Sequence, residues 1–263
     1  MRSQLVAPSA RPRTEGDSVK RVKSGIREFD KMVYGGIPQG SVVMVAGTAG
    51  SGKSIFSLQT LCQGARGGEK GLYITFEQEP DDIIEQGREF DWNIDALLKK
   101  GSLRIMRMGY PKIQDNGSKA FEKVLEEWRL PKAMSDEIMD EIREFGPKRV
   151  VIDSLSTLGS GMRSNIADMM KRDIIKEMIM ALKKENLALT IVTSELPRTG
   201  DWYSNDGASE FLVDGIVVLH KLSTGMGTSR MISIEKMRKT NHSIAKMPLS
   251  IEDGAGIVIR AGE

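Results

Sequence analysis

The sequence predicts an α/β fold: a mainly parallel central sheet flanked by helices, with antiparallel strands added towards the C-terminus. Up to about residue 195, short apolar runs rich in valine and isoleucine alternate with segments of helical periodicity. This is the pattern of parallel strands joined by crossover helices. From residue 215 onward, strand-like runs follow one another closely, which favours antiparallel neighbours. The 263 residues are enough for one such domain with a full core.

The strands are predicted from apolar, β-branched runs and the helices from apolar residues at helical spacing. Glycine and proline place several boundaries: Gly35 ends the first helix, Pro80 suits the first turn of another, and Gly101 closes the next. The predicted strands are 41–46, 71–76, 103–108, 149–154, 187–193, 215–222, 230–237, 248–251 and 256–259. The predicted helices are 25–34, 55–62, one that begins at residue 80, 94–100, 118–129, 134–145 and 165–186. The predicted loops are a polar segment over 196–208 and a hairpin loop over 223–227.

The composition disfavours several classes of protein. Lysine and arginine number 38 against 36 aspartates and glutamates, a formal net charge of +2, which argues against binding driven mainly by nucleic-acid electrostatics but leaves a local basic patch open. The single cysteine, Cys62, rules out a disulfide framework within one chain and suits a reducing compartment. No run reaches the ~20 apolar residues of a membrane span, and the N-terminal region lacks a signal-peptide pattern. We therefore expect a soluble, cytoplasmic protein.

Residues 1–18 are predicted to be a flexible arm and residues 19–263 the folded domain. The arm holds Pro8, Pro12 and Gly16 among arginines and has little apolar content, so it buries too little surface to order itself. Its arginines could contact nucleic acid or a partner, and a solvated tail is the simpler interpretation.

The first functional signal lies between the first buried strand and the helix that follows it. The segment reads Gly47-Thr48-Ala49-Gly50-Ser51-Gly52-Lys53-Ser54 and fits the P-loop pattern G-x-x-x-x-G-K-[ST]. Backbone N–H groups of the loop and of the first helical residues, Ile55 included, would cradle a phosphate. Lys53 would reach the outer phosphates, and the Ser54 hydroxyl would bind Mg²⁺. The strand before the segment and the helix after it are the context that this motif needs.

Three carboxylates follow strands that we expect to end at the same edge of the sheet as the P-loop. Asp153 closes an apolar run, which is the position of the second Mg²⁺-organising group in P-loop enzymes; a strand that merely ends in a polar residue is the alternative. Glu77 ends its own strand and is the candidate that orients or deprotonates the attacking water. Glu195 could sense the outer phosphate, although an ordinary loop carboxylate fits its position almost as well.

Over residues 19–259 the chain resembles the KaiC-like branch of the RecA-type ATPases. The matching segments are Ser24-Gly25-Ile26 with Asp30, Gly35-Gly36-Ile37-Pro38-Gln39-Gly40, the P-loop, Thr75-Phe76-Glu77, Ile152-Asp153-Ser154 and Lys236-Met237-Arg238-Lys239-Thr240-Asn241-His242. The last segment looks like the family's K-x-R-x-T-x-H pattern, which is far more specific than a P-loop alone. The resemblance implies a RecA-like P-loop NTPase fold, ATP bound at subunit interfaces, and a homo-oligomer that we expect to be a hexameric ring.

The same resemblance assigns roles within the K-x-R-x-T-x-H segment. Lys236 and Arg238, with Met237 between them, would reach the phosphates of ATP held by the neighbouring subunit. Thr240 and His242 would lie near the ribose or base of that nucleotide. The residues alone say less: a Lys-x-Arg pair on a strand places both cations on one face, and a solvated strand face would be the simpler interpretation without the family.

Two departures limit what the resemblance carries over. The family often has a Glu-Glu pair after the Thr-Phe, whereas here the second position is Gln78, so Glu77 would carry that role alone and hydrolysis could be altered. The circadian-clock member of the family has two tandem domains and phosphorylates itself. This sequence has one such domain, so neither clock function nor autophosphorylation is carried over.

The sequence therefore predicts an ATPase in which water attacks the γ-phosphate, with ATP and Mg²⁺ as cofactors. The predicted catalytic residues are Glu77, Lys53, Arg238 and Lys236. The biological output would be a nucleotide-controlled, oligomeric switch that acts on an unidentified protein client.

Two other functions remain open at this stage. The first is DNA recombination or repair, in which Arg198, Trp202 and Tyr203 would stack on a single strand; the low net charge disfavours it. The second is an ATP-binding scaffold with little hydrolysis, which Gln78 would permit.

Overall fold

The computed structural model describes residues 19–108, 134–157, 165–185, 187–197, 202–224 and 227–260. Three sequence predictions lie outside these residues: the arm over 1–18, the helix over 118–129, and the contribution of Arg198 to a DNA-binding loop. In the part of the chain that is described, no helix is long and apolar enough to cross a membrane.

The described residues alternate between strands and helices and then end in a run of strands, as predicted. The strands are β1 (Arg21–Val22), β2 (Ile37–Pro38), β3 (Ser41–Gly47), β4 (Gly71–Thr75), β5 (Leu103–Arg107), β6 (Arg149–Asp153), β7 (Leu189–Glu195), β8 (Gly215–Thr224), β9 (Gly227–Met237), β10 (Met247–Glu252) and β11 (Gly256–Ile259). The helices are α1 (Arg27–Met32), α2 (Lys53–Arg66), α3 (Pro80–Glu89), α4 (Ile94–Lys99), α5 (134–145), α6 (Asn165–Lys184) and α7 (Ser209–Leu212), with a 3₁₀ turn over Leu155–Thr157.

In the described part of the chain, nine strands form one sheet in the order β11-β10-β9-β8-β3-β7-β6-β4-β5. The six strands from β8 to β5 run parallel, whereas β9, β10 and β11 are antiparallel additions at the β8 side. The predicted fold class, a mainly parallel sheet flanked by helices with C-terminal antiparallel strands, is confirmed. A second sheet pairs the two-residue strands β1 and β2, which are too short to give a periodic signal in the sequence.

Strand β3 lies in the middle of the large sheet and is buried along its whole length. A parallel strand covered by helices on both faces needs apolar residues on both sides, and β3 supplies them alternately. Val43 and Val45 belong to the core cluster that includes residues of α2, whereas Val42 and Met44 belong to the cluster that includes residues of α6. The segment that leads into the P-loop is thus held rigidly from two sides.

Several predicted boundaries were wrong in ways that affect the site. The hairpin loop predicted over 223–227 is too long, because β8 and β9 pair as far as Thr224 and Gly227. The fifth predicted strand, 187–193, lies two residues further along as Leu189–Glu195, so Glu195 is its last residue. Helix α7 was not predicted, because four residues are too few for a helical period to show. The side chain of Asp206 accepts the N–H groups of Ala208 and Ser209, both at 2.7 Å, where this helix begins.

Candidate functional site

The P-loop joins the end of β3 at Gly47 to the start of α2, and its glycines are needed for its shape. Gly50 has φ +72° and Gly52, which precedes the helix, has φ +107°, values that side chains with a Cβ rarely adopt. A Cβ on Gly47 would lie 2.7 Å from the carbonyl oxygen of Leu219. The sequence therefore brings a turn of exposed backbone to the N-terminal end of α2, the arrangement that suits a phosphate.

Lys53 is the first residue of α2, and its amino group lies inside the loop. Nζ donates to the carbonyl oxygens of Gly47 at 2.9 Å and Thr48 at 3.2 Å. A lysine held in this way fixes a positive charge beside the backbone turn, which is where a phosphate would bind.

Three carboxylates lie near this lysine. Burial lowers the pKa of Lys53, and the negative charges of Glu195, Asp153 and Glu77 oppose that shift. The sheet explains the convergence, because β3, β7, β6 and β4 are successive neighbours and end at one edge. Glu195 pairs in register with Gly47 itself.

Asp153 and Ser54 form the strongest candidate for a metal site. Ser54 Oγ donates to Asp153 Oδ2 at 2.7 Å, and Thr193 Oγ1 donates to Oδ1 at 2.5 Å. A hydroxyl that gives its one proton to a carboxylate keeps its lone pairs for a cation. Hydroxyl and carboxylate oxygens, together with substrate phosphates, are the ligands that Mg²⁺ usually takes, so these residues fit that ion.

A third hydroxyl, which was not predicted from the sequence, reaches Asp153 from within the core. Tyr73 on β4 is completely buried, and its Oη donates to Asp153 Oδ2 at 2.5 Å. Burial, and next the nearby charge of Asp153, hold the pKa of Tyr73 well above its usual range. The phenol therefore remains a proton donor. A tyrosine inside an apolar strand looks like an ordinary core residue in the sequence, and only the register of β4 on β6 reveals its partner.

Glu77 lies two residues beyond β4 in a turn that is fixed by a side chain. Thr75 Oγ1 accepts the N–H of Gln78 at 3.1 Å and donates to the Gln78 carbonyl at 3.2 Å. Glu77 is exposed at the same edge of the sheet, so its carboxylate can meet both solvent and a bound phosphate. Gln78 is exposed as well and helps to shape this turn through its backbone.

Two further cations, neither of them predicted from the sequence, lie beside the P-loop. Nε and Nη2 of Arg230 each donate to the Gly50 carbonyl at 3.3 Å. Lys221 is the register partner of Arg230, and its amino group would lie 3.2 Å from a Cβ on Gly50. Because β8 runs parallel to β3, the β8–β9 hairpin points to the P-loop edge. Only the strand order shows that Lys221 and Arg230 lie at this edge, because their spacing along the sequence does not.

Lys236 and Arg238 lie on the second half of β9 and just after it, away from the P-loop edge of the sheet. The N–H of Arg238 donates to the Asp214 carbonyl at 2.7 Å, and the N–H of Asp214 donates to the Val42 carbonyl at 2.7 Å. Val42 is five residues before Gly47, roughly 17 Å at about 3.3 Å per strand residue. That distance exceeds the length of an extended arginine side chain, so Arg238 does not reach the P-loop of its own subunit. Lys236 is level with Met44, roughly 10 Å of strand before Gly47, and its amino group is held at α7 instead.

These two cations lie against α7. Lys236 Nζ donates to the Glu210 carbonyl at 2.9 Å, Arg238 Nη2 donates to the Phe211 carbonyl at 3.1 Å, and Arg238 Nη1 is 3.5 Å from Asp214 Oδ1. Burial lowers the pKa of Lys236, and the neighbouring charge of Arg238 adds to that effect. The pair is thus held as a cationic cluster with one partly exposed face.

The other three residues of the K-x-R-x-T-x-H segment with predicted roles have different surroundings. The Met237 side chain is 5% exposed and belongs to the core, so only its backbone could face a ligand. Thr240 Oγ1 accepts a hydrogen bond from Arg21 Nη2 at 2.9 Å. His242 is partly buried, with Nδ1 3.1 Å from the Ser243 carbonyl oxygen. Among the described residues, no hydrogen bond or ion pair joins these three side chains to the P-loop of the same subunit.

A family model described as "ATPase: KaiC" matches residues 22–263. The chain belongs to the KaiC family of ATPases. The family is of the RecA type, in agreement with the sequence resemblance and with the observed sheet.

Known relatives show two lengths. The chain is 31% identical over 247 residues to the circadian clock oscillator protein KaiC of Nostoc sp., covering 93% of this chain and 45% of that protein. It is 32% identical over 248 residues to a UPF0273 protein of Thermotoga maritima, covering 93% and 98%. The crystal structure of a KaiC-like protein from Pyrococcus horikoshii matches with a TM-score of 0.75 at 28% identity, covering 93% of this chain and 100% of that chain. The chain thus spans about half the length of the clock proteins.

Two exposed aromatic side chains lie beside the two distant cations of this KaiC-family chain, both of which donate to the Phe211 carbonyl. Trp202 is 52% exposed and Phe211 is 60% exposed, and their rings meet edge to face with centroids 6.3 Å apart. Ile244, two residues after His242, is 92% exposed. Large exposed apolar residues beside charged groups are typical of surfaces that bind another molecule.

Proposed function

We propose that this protein is a Mg²⁺-dependent ATPase that binds ATP at its P-loop and hydrolyses it with water. The observation that carries the proposal is the convergence of Lys53, Ser54 and Asp153, with Ser54 Oγ donating to Asp153 Oδ2 at 2.7 Å beside a glycine-shaped turn at a helix N-terminus. Membership of the KaiC ATPase family supports it.

The chain's own residues divide the work. The N–H groups of the loop and Lys53 bind and orient the outer phosphates of ATP. Ser54 and Asp153 would hold Mg²⁺, which would neutralise the charge that develops on the phosphate oxygens. Glu77 accepts a proton from the water whose oxygen forms a bond to the γ-phosphorus, while the bond to the β,γ-bridging oxygen breaks to give ADP and phosphate.

We further propose that the site is shared between subunits. Lys236 and Arg238 are roughly 10 Å and 17 Å of strand away from their own P-loop. Both donate to the Phe211 carbonyl, so the exposed rings of Phe211 and Trp202 lie beside them. A cation supplied by a neighbour would stabilise the transition-state charge on the γ-phosphate, as arginine fingers do. ATP would then bridge two chains, so that assembly depends on nucleotide. A closed hexameric ring that acts as a nucleotide-controlled switch is the form we expect for this assembly.

Calorimetry and sedimentation together test the proposal. The protein should bind ATP more tightly with Mg²⁺ than in EDTA, release phosphate on turnover, and sediment as a larger species when ATP is present. Failure to bind ATP in a folded sample would overturn the ATPase assignment. A monomer with and without ATP would overturn the shared site. Binding without phosphate release would favour the non-hydrolysing scaffold that Gln78 permits.

The exposed pair of Trp202 and Phe211 also suits a second function, because aromatic side chains stack on the bases of single-stranded DNA. Two cations lie close to this pair, as Arg238 Nη2 and Lys236 Nζ both donate to the Phe211 carbonyl. Salt-dependent binding of a single-stranded oligonucleotide would favour this recombinase-like function. If the protein does not bind the oligonucleotide even at low salt, the expected partner of this surface is a second copy of the chain.

A further inference from the structure

Three hydroxyl groups donate to the Asp153 carboxylate, and only that of Ser54 is expected to bind Mg²⁺ as well. One oxygen, Oδ1, accepts from Thr193 at 2.5 Å. The other, Oδ2, accepts from Ser54 at 2.7 Å and from Tyr73 at 2.5 Å. Ser54 and Asp153 are the residues expected to meet the ion, so Tyr73 needs a separate explanation.

Tyr73 reaches the site from inside the protein. Its side chain is completely buried and belongs to the core cluster that also contains Val151 of β6 and Phe56 of α2. Tyr73 is the register partner of Val151, which is two residues before Asp153 on β6. The side chains of Tyr73 and Asp153 therefore lie on the same face of the sheet. A phenylalanine would fill the same core space, and the hydroxyl therefore serves its partner at the sheet edge rather than the packing.

We propose that Tyr73 is a positioning residue for the Mg²⁺ site, and that its hydroxyl fixes the orientation of the Asp153 carboxylate before the ion binds. The proposal rests on the proposed function, since it assigns Mg²⁺ to Ser54 and Asp153. It adds a residue that would touch neither ATP nor the ion.

The physical reason is the freedom of an aspartate carboxylate. Rotation about its terminal bond has broad preferences rather than sharp wells. Ser54 shares Oδ2 with Tyr73, and a serine hydroxyl that turns to meet a cation holds its carboxylate less firmly. The phenol of Tyr73 comes from a ring fixed by the core, so it keeps Oδ2 in place as Ser54 adjusts. Partners of this kind, one shell away from a metal, commonly change metal affinity by about 10–100-fold when they are removed.

The test compares Tyr73→Phe with the matched control Tyr203→Phe. Tyr203 also donates its hydroxyl to a carboxylate, Oε2 of Glu235 on β9, at 3.1 Å. In the sheet, β9 is separated from β6, which carries Asp153, by β8, β3 and β7. ADP affinity is measured by calorimetry in EDTA and across a Mg²⁺ titration. For Tyr73→Phe we expect unchanged affinity in EDTA and a roughly 10-fold higher Mg²⁺ concentration at half-saturation. For Tyr203→Phe we expect wild-type values in both.

Each other result overturns a defined part of the reasoning. A Tyr73→Phe protein with the wild-type Mg²⁺ midpoint would show that the hydroxyl does not position Asp153. An equal loss of affinity with and without Mg²⁺ would show a general structural role instead, and would also overturn the proposal. A wild-type protein whose nucleotide affinity ignores Mg²⁺ would overturn the proposed function and this inference together.

A second measurement applies if Tyr73→Phe does not fold. The chain has four tyrosines, so 3-fluorotyrosine labelling gives four ¹⁹F resonances, and phenylalanine variants of the other three assign Tyr73 by elimination. Adding Mg²⁺ to the ADP-bound wild type should shift the Tyr73 resonance and leave that of Tyr203 in place. An unmoved Tyr73 resonance would contradict the proposal.

Discussion

Replacing Lys53 with alanine removes the one P-loop side chain that carries a positive charge. The Lys53 amino group already lies within the loop, donating to the carbonyls of Gly47 and Thr48. A phosphate bound there would lie about 4 Å from the ammonium, and two unit charges at that distance interact by about 4 kcal/mol at an effective dielectric constant of 20. That energy corresponds to about 10³ in affinity.

The net effect should be somewhat smaller than this Coulomb value. In the free protein the ammonium is already hydrogen bonded to two carbonyls, and those bonds must be exchanged for phosphate contacts when ATP binds. We therefore expect Lys53→Ala to weaken ATP binding by about 10²–10³-fold. The variant should still fold, because burial disfavours the lysine charge in the native state.

The measurement is calorimetric titration with ATP and Mg²⁺, with thermal unfolding of the nucleotide-free protein as a check of the fold. Lys99→Ala is the matched control, since Lys99 is an exposed lysine in the last turn of α4. The control should bind ATP as the wild type does. A folded Lys53→Ala protein within about 3-fold of wild-type affinity, less than 1 kcal/mol, would refute the assignment of the phosphate site.

Two other substitutions test neighbouring parts of the site. Glu77→Gln should keep ATP bound but slow single-turnover hydrolysis by about 10²–10⁴-fold, the usual scale for a general base; wild-type turnover would move the role to Glu195 or another residue. Trp202 fluorescence, assigned by comparison with Trp202→Ala, should not change when a single-stranded oligonucleotide is added at low salt. Quenching that is lost in Trp202→Ala would instead favour the recombination hypothesis.

The P-loop and the buried strands could be predicted because each depends on residues that are close together in the sequence. The P-loop needs glycines at fixed positions, and buried parallel strands need continuous apolar runs, so β3, β4 and β6 were all located. Once parallel strands are assumed, the polar residues after them must lie at one edge of the sheet. Glu77, Asp153 and Glu195 were placed together on that basis, and in the structure all three act electrostatically on Lys53.

The features that escaped prediction depend on which strands are neighbours. Arg230 reaches Gly50 only because the β8–β9 hairpin lies beside β3 and extends past its end. Tyr73 reaches Asp153 only because β4 pairs with β6 in one particular register. Neither fact leaves a trace in the spacing of residues along the chain. The K-x-R-x-T-x-H segment was found through a family resemblance, and its role between subunits stays a prediction.

The most direct test of the shared site mixes two inactive variants and measures ATP hydrolysis. Lys53→Ala keeps Arg238 but loses its own phosphate site, whereas Arg238→Ala keeps its P-loop but cannot serve its neighbour. Random pairing in a symmetric ring leaves about one interface in four with an intact P-loop facing an intact arginine. We predict that each variant alone is inactive, that Arg238→Ala still binds ATP, and that the equimolar mixture recovers part of the wild-type turnover. A mixture that stays inactive although mixed oligomers form, or full activity of Arg238→Ala alone, would contradict the account.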